Sequence, residues 1–163
     1  MGTLDGRIGG IRLGYDLHAH WDGQHLSGRI GGHLEGQDIE LTLRGEQLDG
    51  RIGGRIHGFS ADGAVTAREL KVRLGGRIEG DDVRASLSDT SASGRFSVRL
   101  DGKDIQLELT GDRLRGRMGG TFEGKDVDLR LDDVPLGVAV LAAVCAYKAL
   151  EDQQNQEQAG QSD

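Results

Sequence analysis

The chain has 163 residues and a net charge of −7, with 29% charged and 36% hydrophobic residues. That length suffices for one domain with a buried core. The acidic balance argues against a nucleic-acid partner, which needs a basic face, and against broad attraction to anionic membranes. The 28 glycines with a single proline exclude collagen-like and proline-rich architectures, and Cys145, the only cysteine, excludes an intrachain disulfide.

The N-terminus, MGTLDGRIGG, carries no apolar signal-peptide run, which with the lone cysteine predicts a cytoplasmic protein. From residue 4 to 135 the chain repeats strictly: Arg7, Arg29, Arg51, Arg73, Arg95 and Arg117 are each 22 positions apart, marking six copies of one supersecondary unit. In the copy Leu26–Gln47, Leu26, Gly28, Ile30, Gly32 and Leu34 alternate with Ser27, Arg29, Gly31, His33 and Glu35. Period two predicts a strand with one apolar and one polar face. Glu35-Gly36-Gln37-Asp38 then reads as a hairpin turn, as do Asp101-Gly102-Lys103-Asp104 and Glu123-Gly124-Lys125-Asp126. Ile39, Leu41 and Leu43 alternate with Glu40, Thr42 and Arg44 in a second strand, and Arg44-Gly45-Glu46-Gln47 turns into the next copy. Six such hairpins give twelve strands. Three stretches break the pattern. Ile11-Arg12-Leu13 is out of phase, Phe59–Gly63 reads as a bulge or longer loop, and Ser88–Ser93 reads as a polar loop.

After Pro135, residues Leu136–Tyr147 are apolar on every side, and Lys148–Asp152 bring charge back. This predicts a helix over 136–152, buried in protein, because a membrane span needs about 20 apolar residues. Residues 153–163 are polar and predict a disordered tail. The chain thus reads as one domain over 1–152.

Twelve strands about 4.8 Å apart and tilted near 40° close into a barrel of backbone radius roughly 12 Å, and a helix of radius about 5–6 Å fills it with one layer of side chains between. The predicted fold is mainly β: a closed antiparallel twelve-stranded barrel with the C-terminal helix through its lumen. Gly28, Gly32, Gly50 and Gly54 fall at inward positions, where they thin the wall for the helix. The alternative is a parallel β-helix with 22-residue coils, which would stack the six arginines about 4.8 Å apart in a like-charge ladder. In the barrel, two-residue turns set Arg51 opposite Glu40, Arg73 opposite Asp62 and, on closure, Arg7 opposite Asp128. They also set Arg29 opposite His18, Arg117 opposite Gln106 and Arg95 opposite Arg84.

Twelve such strand segments around Leu136–Leu150 resemble the tubby C-terminal-like superfamily, which includes tubby proteins, plant LURP-one-related proteins and phospholipid scramblases. The resemblance covers nearly the whole chain, is architectural, and carries over no site residue. It implies a lipid- or membrane-surface-binding module.

Among candidate sites, His18 and His20 share an outward strand face, and His-X-His can hold a metal. No third ligand is fixed beside them, so the default is two solvated side chains. Trp21 falls inward. The Asp-Gly-Lys-Asp segments lack EF-hand spacing, and the Gly-Arg-Ile-Gly-Gly segments lie in strands rather than at helix starts, unlike phosphate loops. No nucleophile–base constellation appears, so the chain reads as no enzyme, with no cofactor. Arg7, Arg29, Arg51, Arg73, Arg95 and Arg117 are the surface feature with functional scope. A band of arginines suits phosphate head groups or an acidic protein partner; the plainer reading is cross-strand pairing with Glu and Asp. The sequence therefore predicts a non-catalytic binding or scaffold module, monomeric or a small oligomer, contacting anionic lipid or a protein through its outer surface. The alternative is a structural, self-assembling β-repeat protein with no small-molecule ligand.

Overall fold

The computed structural model describes residues 1–10, 14–31, 36–54, 58–75, 80–98, 103–119 and 124–161, with side chains excepted at 98 and over 154–161. The repeats form β1 (Gly2–Gly9), β2 (Gly14–Trp21), β3 (His25–Gly31), β4 (Gly36–Arg44), β5 (Gln47–Ile52), β6 (Phe59–Val65), β7 (Glu69–Gly75), β8 (Gly80–Leu87), β9 (Ser91–Val98), β10 (Asp104–Thr110), β11 (Arg113–Met118) and β12 (Lys125–Asp132). A helix, α1 (Leu136–Gln161), follows. Every strand pairs antiparallel with its neighbours in sequence, and β12 pairs with β1 to close the barrel. The parallel β-helix is ruled out: strands lie beside their hairpin partners rather than beside copies 22 residues away.

The alternation of the sequence becomes the two faces of the wall. In β2, Tyr15, Leu17, Ala19 and Trp21 are buried, while Asp16, His18 and His20 are exposed. The outer face is charged and polar, the reverse of a lipid-facing barrel, and Met1 is the only exposed large hydrophobic side chain among the described residues.

The register between repeats is the one that two-residue turns demand: Glu40↔Arg51, Asp62↔Arg73, Arg84↔Arg95, Gln106↔Arg117, His18↔Arg29 and Arg7↔Asp128. Gly45-Glu46 and Gly111-Asp112 are such turns, their glycines at φ 64° and 63° in the left-handed region that favours glycine. The turns within repeats are displaced from expectation. Gly36, Gln37 and Asp38 belong to β4, with Gly31 opposite Gly36 and Arg29 opposite Asp38. Asp104 and Asp126 are likewise strand residues, and residues 35, 101, 102 and 123 lie outside the described residues, as does Ile11-Arg12-Leu13. Phe59–Val65 is a regular strand in register with both neighbours, so the expected bulge is absent. The polar loop shrinks to 88–90, because Ala92 points inward and is fully buried in β9.

The inward glycines relieve the wall itself rather than the helix. A Cβ at Gly28 would lie 2.1 Å from the His18 carbonyl oxygen, at Gly50 2.3 Å from that of Glu40, and at Gly94 2.0 Å from that of Arg84. Each stands at a junction between repeats, where strong coiling presses one strand onto the next. A Cβ at Gly54 would meet nothing within 4 Å, and Gly32 lies outside the described residues.

The helix fills the lumen. Val138 to Leu150 are buried on every side, as an all-round apolar helix requires. A Cβ at Gly137 would lie 3.0 Å from Val65, at one end of β6, whereas Lys148 Nζ lies 5.3 Å from the ring of Phe59 at the other. Residues 137 to 148 of a helix rise about 16 Å, as do residues 59 to 65 of a strand tilted near 40°. The helix therefore runs along the barrel axis. It continues to Gln161 rather than ending at 152; the added residues are mostly Gln, Glu and Ala, good helix formers. No helix among the described residues is long and apolar enough to cross a membrane.

Candidate functional site

Each within-repeat hairpin brings the residue nine positions on to face the repeated arginine. Arg7–Asp16, Arg29–Asp38, Arg73–Asp82, Arg95–Asp104 and Arg117–Asp126 are ion pairs at 3.4, 3.0, 3.2, 2.9 and 2.9 Å. Arg51 faces Ser60 and bonds its Oγ at 3.2 Å and the Gly54 carbonyl at 2.7 Å. The six predicted contact residues thus form a belt around the barrel, on alternate strands, and five carry an aspartate beside them. Exposed pairs of this kind contribute about 0–1 kcal/mol each, so the belt sets register more than stability. The aspartates that read as turn residues are the arginines' partners.

The other neighbour of each arginine, across the junction to the preceding copy, is His18, Glu40, Asp62, Gln106 or Asp128 at five positions and Arg84 at the sixth. Arg84 lies between Arg95 on β9 and Lys71 on β7. The outer row therefore runs Ala64, Lys71, Arg84, Arg95, Asp104. Three cations stand side by side, and the acid at the end of the row is held by Arg95. Like charges directly opposite repel. The side chains of Lys71 and Arg84 make no hydrogen bond or ion pair among the described residues. The other copies place Asp5, Ser27, Asp49, Ser93 and Arg115 where the fourth has Lys71. The row lines a groove of about 730 Å³ with Gly63, Ala64 and Ser97. Gly63, at φ 139°, lets the chain pass where a Cβ would lie 2.3 Å from the Lys71 carbonyl oxygen.

A second arrangement sits inside the barrel. Lys148 Nζ bonds Asp81 Oδ2 at 2.8 Å and Asp152 at 3.2 Å. Asp81 occupies the inward column that holds Tyr15, Gln37, Phe59, Lys103 and Lys125 in the other copies. The Arg84–Arg95 juxtaposition is the one expected from two-residue turns, whereas Lys71 beside it and the buried pair lie beyond that expectation. The departure of the fourth copy from its siblings was the available signal for Lys71, Arg84 and Asp81 alike.

Elsewhere, His18 and His20 face outward with rings 5.0 Å apart and nearly perpendicular, and His18 Nδ1 is in contact with Asp5. No group of three His, Cys, Asp or Glu among the described residues is arranged to hold a metal ion. Asp128 takes both oxygens' worth of Arg113, at 2.8 Å each, with Arg115 at 3.4 Å. The Arg113 guanidinium holds its carboxyl below the ordinary carboxylate range. Burial pushes the Cys145 thiol up to about 12, leaving it protonated and inert.

Comparison with protein-family models, with curated proteins and with solved structures gives no match for the chain.

Proposed function

We propose that the protein is a non-catalytic, cytoplasmic binding module that meets an anionic partner through its outer face. The row Lys71–Arg84–Arg95 carries this reading. In a chain of net charge −7, three adjacent cations without an acid between them repel one another in the free protein, and an anion relieves that repulsion. The other repeated arginines serve the register. The lumen is taken by α1, so binding falls to the outside. The barrel-and-helix architecture is also what the tubby-like resemblance implies, and surface binding is carried over from it only as part of this proposal.

Co-sedimentation with phosphatidylserine vesicles, together with retention on immobilised polyglutamate, tests the reading at low salt. Binding to either, lost at high salt and absent with neutral vesicles, supports it; binding to no anion of any kind sinks it.

The arginine–aspartate belt favours a second reading, a structural β-repeat protein without a ligand. Closure of the barrel leaves no free strand edge for stacking among the described residues. Light scattering separates the two, since filaments or growth with concentration belong to the second alone.

A further inference from the structure

Resting on that reading, we infer that the Lys71–Arg84–Arg95 row is a binding site for a linear oligophosphate, held lengthwise along the row. The three residues are adjacent across β7, β8 and β9. At about 4.8 Å per strand they cover about 10 Å in a straight line. A guanidinium grips tetrahedral oxyanions through paired N–H donors, and an ammonium adds a point charge. Arg84 has both its donors and its charge uncommitted among the described residues, and so has Lys71. Arg95 donates through Nε to Asp104 at 2.9 Å and is 64% exposed.

The surroundings select the shape of the anion. Asp62 and Asp82 line the groove on one side, with Arg73 between them and paired to Asp82 at 3.2 Å; Glu69 lies two residues from Lys71 on the other side, and Asp104 closes the end. A flat anionic surface pressed against this face would meet those carboxylates together with the cations. A narrow chain of phosphates lying along the row meets the three cations and, at one end only, Asp104. No aromatic side chain among the described residues lines the groove, so none of them stacks a nucleobase, and the recognised part is the phosphate chain. Gly63 and Ala64, neither with a side chain longer than a methyl group, line the groove beside Lys71.

The test is calorimetric titration of the full chain with inorganic tripolyphosphate at low salt, repeated on Arg84→Gln, Lys71→Gln and Arg130→Gln. Arg130 is a control that loses the same charge on β12, where it pairs with Asp112 at 3.0 Å. Saturable binding, weakened about tenfold or more by either row substitution and less than about twofold by Arg130→Gln, is expected from the loss of a charge-assisted contact. Equal losses in all three variants would reduce the effect to net charge and overturn the inference. Absence of saturable binding, with phosphatidylserine vesicles or polyglutamate still bound, overturns the oligophosphate site and leaves the binding-module reading standing. Absence of binding to all of them overturns both.

Discussion

Lys148 Nζ lies 2.8 Å from Asp81 Oδ2 inside the barrel, with 3% and 0% of the two side chains exposed. Burying two charges is costly, and the direct contact offsets that cost, with Asp152 and the face of Phe59 adding to the lysine's surroundings. Such a pair is a registry device: the helix has one axial position at which Lys148 finds Asp81. Lys148→Met removes the cation that faces the buried Asp81 and should cost about 3–5 kcal/mol, Asp81→Asn should cost less because Asp152 stays beside Lys148, and the Lys148→Met, Asp81→Leu double variant should recover most of the larger loss. Urea denaturation of the four proteins measures both effects, and equal destabilisation by the double variant counts against the registry role.

The repeat made much of the wall legible and little of its chemistry. Period two and a constant spacing suffice to count strands and to align Glu40 with Arg51 and Asp128 with Arg7, because strand register follows the apolar face. The turns within copies were misread at Gly36 and Asp38, since Gly-rich stretches lie on both sides of the true reversal and Asp suits a turn and an ion pair alike. In the sequence Lys148 reads as the charged end of an apolar segment. Its partner is 67 residues away, and no local pattern announces a contact of that range. The helix's continuation to Gln161 follows from propensity that a polarity-based reading of the tail undervalues.

The junction glycines should be intolerant of even a methyl group. Gly94→Ala places a Cβ 2.0 Å from the Arg84 carbonyl oxygen, and Gly50→Ala places one 2.3 Å from that of Glu40. Each should cost more than about 1 kcal/mol, through a displaced strand pair. Gly54→Ala, which meets nothing within 4 Å, should be nearly neutral. Thermal unfolding of the three variants checks the contrast.

Asp128 ties acid stability to a surface network. Its carboxyl is lowered in the folded protein, chiefly by Arg113. The contribution is therefore fully present above the unfolded carboxylate pKa of about 4 and is lost as pH falls through the lower folded value. With 44% of its side chain exposed, solvent limits the contribution to about 1 kcal/mol or less. Asp128→Asn should lower stability slightly at neutral pH, and the difference should shrink in strong acid, as pH falls through the lowered folded value. Denaturant midpoints at neutral pH and in acid report it.

Residues 1–135 without the helix should not form a cooperative barrel. The inward side chains of twelve strands would surround the space that Val138 to Leu150 now occupy, and a lumen of that width neither collapses smoothly nor tolerates water against Leu and Ile. Loss of a sigmoidal unfolding transition, or aggregation, is the expected result. A soluble fragment with a sharp transition would show that the wall stands by itself.

The chain closes a barrel around its own helix, and Cys145 reports on that arrangement directly. The thiol is the only one in the protein, fully buried on that helix, with its pKa pushed up to about 12. Reaction with a chromogenic disulfide reagent at pH 8 should be undetectable in native buffer and should appear in denaturant along the same transition as global unfolding. Stoichiometric labelling of the native protein at the rate of a free thiol would place the helix outside the barrel and contradict the account.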